Sequence, residues 1–220
     1  MVSLEPSLLC ADFSQLGAEI SRLDAAGVSS YHIDIMDGVF VPNFGLSLLD
    51  VAVVKRLSTK PFDAHLMVAA ANLPYYLPKV LDSGANTIYI HAEIGSDVRP
   101  FLQSIKARGL KAGLAINPET SLEAAMPLLS AVDSLLIMRV NPGRAGQKPL
   151  AEVEPKIKAA LAMPERHFSV KIDGGVDFEG AVALAKQHAD ALVLGGSSNL
   201  FNPQCDAKIV MQQLISAINR

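Results

Sequence analysis

In the stretch H-I-D-I-M-D-G, residues 32–38, the side chains able to do chemistry occupy alternate positions, with β-branched residues between them. In a β-strand this spacing sends His32, Asp34 and Met36 to one face and Ile33 and Ile35 to the other. A parallel strand covered on both faces normally reads as a near-continuous apolar run, so an imidazole and a carboxylate side by side need compensation. Metal binding supplies it. The same alternation recurs in Phe62-Asp63-Ala64-His65-Leu66-Met67 and in Val170-Lys171-Ile172-Asp173-Gly174-Gly175. His32, Asp34, His65 and Asp173 then lie at or near the ends of three strands, a donor set suited to one divalent ion per chain: Zn²⁺, Fe²⁺ or Mn²⁺. Any one of them taken singly reads more simply as a buried polar group held by a hydrogen bond, but three strands ending alike favour the metal.

Short β-like runs alternate with amphipathic stretches from end to end. The pattern predicts eight strands near residues 4–9, 31–36, 62–67, 87–92, 111–116, 134–140, 169–173 and 191–195. Helical spacing of apolar residues falls between them, at 13–26, 46–57, 73–83, 98–108 and 178–188, with Gly27, Gly84 and Gly109 where helices should stop. No Pro- or Ser-rich linker breaks the rhythm, so residues 1–220 read as one domain, a compact (β/α)₈ barrel. An open doubly wound sheet is the competing architecture, but Leu9-Cys10-Ala11-Asp12 stands where its Gly-rich fingerprint would follow the first strand.

In such a barrel, functional groups gather where strands end and βα loops begin. Ser7, Asp34, His65, Asn117, Met138 and Asp173 obey that rule. Three Gly-rich loops follow the last three strands: Asn141-Pro142-Gly143-Arg144-Ala145-Gly146-Gln147, Asp173-Gly174-Gly175, and Gly195-Gly196-Ser197-Ser198. Glycine lets backbone approach a ligand closely, and exposed N–H groups at loop or helix starts bind anions, so the three together fit a phosphate site.

Composition narrows the class. The 220 residues are 50% hydrophobic with a formal net charge of -3, which describes a globular chain with a large core. No run approaches a membrane span and no basic segment precedes an apolar signal core, so a cytoplasmic protein is expected, with no membrane partner. Cys10 and Cys205 stand alone, implying neither a disulfide framework nor a cysteine zinc site. Four Tyr, no Trp and no basic cluster offer nucleic acid little.

Five motifs carry a resemblance over nearly the whole length: Pro6-Ser7-Leu8-Leu9, H-I-D-I-M-D-G-V-F-V-P-N from His32 to Asn43, D-A-H-L-M-V from Asp63 to Val68, N-P-G-R-A-G-Q from Asn141 to Gln147, and D-G-G-V from Asp173 to Val176. Through them the chain resembles the ribulose-phosphate 3-epimerases. The resemblance implies metal ligation by His32, Asp34, His65 and Asp173, with Asp34 and Asp173 as the pair that exchanges acid and base roles on opposite faces of an enediolate. It also implies that Ser7 and His65 meet a ketose phosphate, that Met36, Met67 and Met138 line the pocket, and that the three Gly-rich loops hold the phosphate. A homo-oligomer is expected with it.

Arg139 and Arg144 depart from the family, which generally has Ser or Thr after the strand-six Met and an aromatic residue in the following loop. Either arginine reads as outward surface charge or, for Arg144, as a phosphate partner. Asn117-Pro118-Glu119-Thr120 and the turn from Gly196 to Asn202 look more like the allulose-6-phosphate 3-epimerase branch, so a five-carbon substrate stands only slightly ahead of a six-carbon one. His91 reads as a partner behind the ligands or a core hydrogen-bonding group, and His167 and His188 as surface residues. A decarboxylase barrel would resemble D-x-K-x-x-D where this chain has D-A-H-L-M. A noncatalytic sugar-phosphate sensor would keep the Gly loops but has no need of two carboxylates and a metal.

Overall fold

The computed structural model describes residues 2–220. Eight strands, β1 (Ser3–Pro6), β2 (Tyr31–Met36), β3 (Phe62–Met67), β4 (Thr87–His91), β5 (Lys111–Ile116), β6 (Ser134–Met138), β7 (Ser169–Asp173) and β8 (Ala191–Leu194), alternate with eight helices. These are α1 (Leu16–Ala26), α2 (Leu48–Leu57), α3 (Leu73–Leu81), α4 (Arg99–Ala107), α5 (Leu122–Leu129), α6 (Glu154–Leu161), α7 (Phe178–Lys186) and α8 (Ala207–Ile218). Every ladder is parallel, and the order β1-β8-β7-β6-β5-β4-β3-β2 brings the first strand beside the last. That adjacency makes a (β/α)₈ barrel and excludes the doubly wound sheet. Among the described residues, the backbones of β1 and β2 pair through a single parallel bridge, Ser7 to His32.

The two faces of the strands carry the expected division. Ile33 and Ile35 pack outward in the main apolar cluster with Ile20 and Leu23 of α1 and Val51 and Val54 of α2. Met36 and Met67, with Val41, form a separate cluster, and Met138 joins Tyr89, Leu136 and Val193 in another. Helix ends follow local chemistry. Ser47 and Asp50 form a capping box at the start of α2, and Gly27 closes α1 in the left-handed conformation at φ 84°. Among the described residues, no helix is long and apolar enough to cross a membrane.

Strands β2, β3, β5 and β7 occupy the predicted spans, and β4 and β8 end one residue earlier. The first strand differs more. It stops at Pro6, and residues 8–10 wind into a 3₁₀ turn whose cap, the Ser7 hydroxyl, accepts from Leu9 N at 3.3 Å. The helix expected over 13–26 is likewise divided, because the Asp12 carboxylate captures Ser14 N at 2.9 Å and tightens 13–15 into a separate 3₁₀ turn. The sixth strand ends at Met138 rather than 140: Arg139 N still follows the ladder to the Asp173 carbonyl at 2.6 Å, but the Arg139 carbonyl leaves the sheet and accepts from Leu150 N at 2.8 Å.

Candidate metal centre and substrate cleft

Parallel register sets Asp34 beside His65, Met36 beside Met67 and Met138 beside Asp173 at the C-terminal mouth of the barrel. His32 and His65 are fully buried, and Asp34 is nearly so. His65 Nδ1 lies 3.1 Å from Asp34 Oδ1 and 3.3 Å from His32 Nε2. His32 Nε2 is 3.4 Å from Asp34 Oδ1 and 3.7 Å from Asp173 Oδ2, and His65 Nδ1 is 4.0 Å from the latter. One donor atom from each of the four residues thus falls within 4.8 Å of every other. A four-coordinate ion with bonds of about 2.1 Å spaces its donors about 3.4 Å apart, so these separations fit one small divalent cation.

Each imidazole is oriented from behind. His32 turns Nε2 to the centre and Nδ1 to Asp63 Oδ1, 2.5 Å away though off the line of a straight hydrogen bond. His65 turns Nδ1 inward and Nε2 to His91 Nε2 at 2.8 Å, while His91 Nδ1 meets Glu93 Oε2 at 3.1 Å. With His65 Nδ1 unprotonated for a ligand, the network assigns its proton to Nε2, which donates to His91; His91 in turn donates from Nδ1 to Glu93. Burial lowers His91 to about 4, which keeps it in the neutral form this assignment needs.

The two carboxylates are driven apart. Before an ion binds, burial opposes charge on Asp34, but His32 and His65, with protons turned toward it, outweigh it and hold its carboxyl well below the usual range. Ser7 Oγ adds a hydrogen bond donated to Asp34 Oδ2 at 2.6 Å. For Asp173, burial together with the Asp34 and Asp63 charges prevails over His32 and Lys171 and pushes the carboxyl up to about 7. The fold alone thus makes Asp34 the more acidic carboxyl and Asp173 the more basic, the inequality an acid–base pair exploits.

Above this cluster opens a cleft of about 520 Å³, open solvent at its mouth included. Its floor is Ser7, Asp34 and Asp173, and its sides include Met36, Met67 and Met138. Gly143, Arg144, Ala145 and Gly146 line one part, Gly174 and Gly175 another, and Gly196 and Ser197 a third. Gly174 is held at φ 105°, and a Cβ there would come within 2.6 Å of Val140, so the close approach of the two loops depends on its lacking one. Asn43 Nδ2 donates to the Gly143 carbonyl at 2.7 Å, fastening the β2–α2 loop to the β6–α6 loop. Ser198 stands outside the cleft walls, its hydroxyl donated to the Gly195 carbonyl at 2.6 Å. Asn117 also lies apart, its backbone held by Glu93 Oε1 at 2.8 Å and by Lys156 at 2.7 Å.

The two arginines separate. Arg139 is buried, not a surface charge: it points away from the barrel interior into the helix layer and donates from Nη2 to Glu154 Oε1 at 2.7 Å. Arg144 is exposed at the cleft rim. His167 and His188 are exposed, as expected.

A family profile described as the ribulose-phosphate 3 epimerase family matches residues 3–201. The chain belongs to that family. It is 36% identical over 201 residues to the ribulose-phosphate 3-epimerase of Bacillus subtilis (strain 168), covering 90% of this chain and 92% of the relative. With the enzyme of the same name from Synechocystis sp. the identity is 37% over 206 residues, 91% of this chain and 88% of the other. Among solved structures, the 3-hexulose-6-phosphate synthase of Salmonella typhimurium superposes with a TM-score of 0.71 at 14% identity, over 99% of both chains, which establishes the shared fold.

Sequence reasoning left four residues at this family member's centre without a role. Asp63 behind His32 and Glu93 behind His91 were visible only as i,i+2 neighbours of histidines on the same strand face or its extension. Asp37 caps the β2–α2 loop, accepting from Val39 N, Phe40 N, Ala69 N and Asn72 Nδ2 at 2.8–2.9 Å. Cys10 lines the cleft, and burial with the nearby Asp34 charge pushes its thiol up to about 11, leaving it protonated and a poor nucleophile.

Proposed function

We propose that this chain epimerises D-ribulose 5-phosphate and D-xylulose 5-phosphate at C3 with one divalent ion held by His32, Asp34, His65 and Asp173. The observation that carries this reading is the convergence of two carboxylates with two imidazoles, the carboxylates at the floor of a Gly-lined cleft. Inverting the carbon beside a ketone requires removing a weakly acidic proton from one face and delivering another to the opposite face. Asp34 serves as base toward one epimer while Asp173 supplies the proton from the other side, and the roles exchange in the reverse direction. The ion, when bound, supplies Lewis-acid polarisation of the ketone and neighbouring hydroxyl oxygens. Ser7 steadies the Asp34 carboxylate, and the methionine side chains exclude water from the planar intermediate. Backbone N–H groups around Gly143–Gly146, Gly174–Gly175 and Gly196–Ser197 receive the phosphate.

The choice among Zn²⁺, Fe²⁺ and Mn²⁺ belongs to this proposal, as does a cytoplasmic homo-oligomer. Val39, Phe44 and Leu49, 69%, 75% and 79% exposed on one loop-helix segment, support such an interface. The deciding assay is turnover of ribulose 5-phosphate against allulose 6-phosphate by the metal-loaded protein. Higher kcat/KM on the pentulose is expected. Preference for the hexulose would move the chain to the allulose branch, and no turnover of either would leave a binding protein.

Arg144 tests the phosphate end of the cleft. A guanidinium turned inward donates a charge-assisted bond to a phosphate oxygen, but its exposure at the rim screens that charge. Arg144→Phe is therefore expected to raise KM about tenfold with little change in kcat. An unchanged KM for both ketose phosphates would show that Arg144 faces solvent throughout.

A further inference from the structure

Below the metal centre, the barrel interior holds a charge cluster for which the acid–base chemistry has no use. Lys171 of β7 stands two residues before Asp173, and its ammonium contacts both the Asp63 carboxylate of β3 and the Glu5 carboxylate of β1. Lys171, Asp63 and Glu5 are only 5%, 5% and 7% exposed. Three charges gathered from strands far apart in the chain are costly to bury, so their geometry calls for a reason.

Two features of that geometry converge on His32. Asp63 offers one oxygen, Oδ2, to Lys171 and turns the other, Oδ1, to His32 Nδ1 at 2.5 Å. The far nitrogen of the same ring, His32 Nε2, faces Asp34, His65 and Asp173. Lys171, Asp63 and His32 therefore form one line from the barrel floor to the donor set. The second feature is the seam: among the described residues, β1 and β2 share a single backbone bridge, Ser7 to His32, beside the side-chain bonds of Ser7 to Asp34 and Ser29 to Leu4, and Lys171 reaches a carboxylate on either side of it, on β1 and on β3 beyond β2.

We propose that Lys171 is a positioning residue for the metal centre: by pairing with Asp63 it keeps that carboxylate aimed at His32 Nδ1, so that His32 Nε2 is presented to the ion, and through Glu5 it ties β1 across the seam that carries Ser7 and His32. This rests on the metal reading above. A carboxylate behind a ligating histidine fixes its ring and tautomer, and such outer partners typically contribute ten- to hundredfold in metal affinity. Without a cation beside it, Asp63 would be a buried, unbalanced charge free to turn from the ring.

The experiment is a Zn²⁺ titration of the full-length, chelator-stripped protein against a competing chromogenic chelator. Lys171→Met is expected to weaken Zn²⁺ binding about ten- to hundredfold. Asp63→Asn should weaken it comparably, and the double variant should lose no more than Asp63→Asn alone, since both changes break one line. Nitrogen chemical shifts of His32 should show a protonated Nδ1 in loaded wild type and a mixture of tautomers in Lys171→Met. A wild-type affinity in Lys171→Met, or losses that add in the double variant, would overturn the proposal and leave Lys171 a structural ion pair alone. Should the methionine variant not fold, Lys171→Gln, which keeps a donor without the charge, decides by the same titration: weakened binding supports the role and wild-type affinity overturns it. Wild-type protein that takes up no Zn²⁺, Fe²⁺ or Mn²⁺ would overturn the metal reading together with this one, whereas normal uptake by wild type and Lys171→Met alike overturns this one only.

Discussion

Asp34→Asn and Asp173→Asn are each expected to lower turnover in both directions by about two to four powers of ten, the usual contribution of a positioned acid or base. The reason is geometric: with a carboxylate on each side of the reacting carbon, removing either leaves one face without a proton carrier. Before an ion binds, His32 and His65 lower the Asp34 carboxyl, while burial and the neighbouring carboxylates push Asp173 up to about 7, so the fold sets the two groups unequal in proton affinity. Because both are also in the donor set, lost metal would imitate lost proton transfer. The measurement is therefore solvent-deuterium incorporation at C3 in variants shown by elemental analysis to retain metal. Exchange of one epimer's proton without inversion, and of the opposite epimer's in the other variant, is the expected signature. Full turnover in either variant excludes the two-carboxylate mechanism.

His65→Ala is expected to remove metal and activity together. Loss of an outer partner alone weakens metal binding about ten- to hundredfold, and His65 is proposed as a donor itself, so its loss should exceed that range. The truncation also leaves Asp34 Oδ1 and His91 Nε2 without the ring that lies 3.1 and 2.8 Å from them. An unsatisfied buried polar group costs about 1–3 kcal/mol, so a lower Tm should accompany the loss of metal. Metal content after purification and circular dichroism check both halves. A folded His65→Ala protein with wild-type occupancy and turnover would remove His65 from the donor set.

The convergence of the four candidate donors, His32, Asp34, His65 and Asp173, was legible because strand alternation is a local rule. Once His32-Ile33-Asp34-Ile35-Met36 is a strand covered on both faces, its polar face must meet a compensating partner, and the same holds at His65 and Asp173. The Gly-rich loops were legible for a similar reason, since their order after the last three strands is written along the chain. Where local chemistry competed with the period, the reading slipped: Pro6 and the Ser7 cap ended β1 early, and the Asp12 cap divided the following helix. Arg139 shows a different limit. Alternation from Met138 turns it away from the barrel interior, but whether that direction meets solvent or the buried layer beneath α6 and α7 depends on helix packing.

By itself, then, the sequence determined the barrel, the donor residues on their strand faces and the Gly-rich loops above them, because each follows from a repeat of two or from the order of strands. Only the tertiary structure decided which side chains stand behind the donors. The contacts of Lys171 with Asp63 and Glu5 join residues 108 and 166 positions apart, and they arise because barrel closure and strand register bring β1, β3 and β7 to one interior layer. The opposite protonation tendencies of Asp34 and Asp173 have the same origin: two chemically identical carboxylates differ because burial and neighbouring charges, set by the fold, act on them unequally.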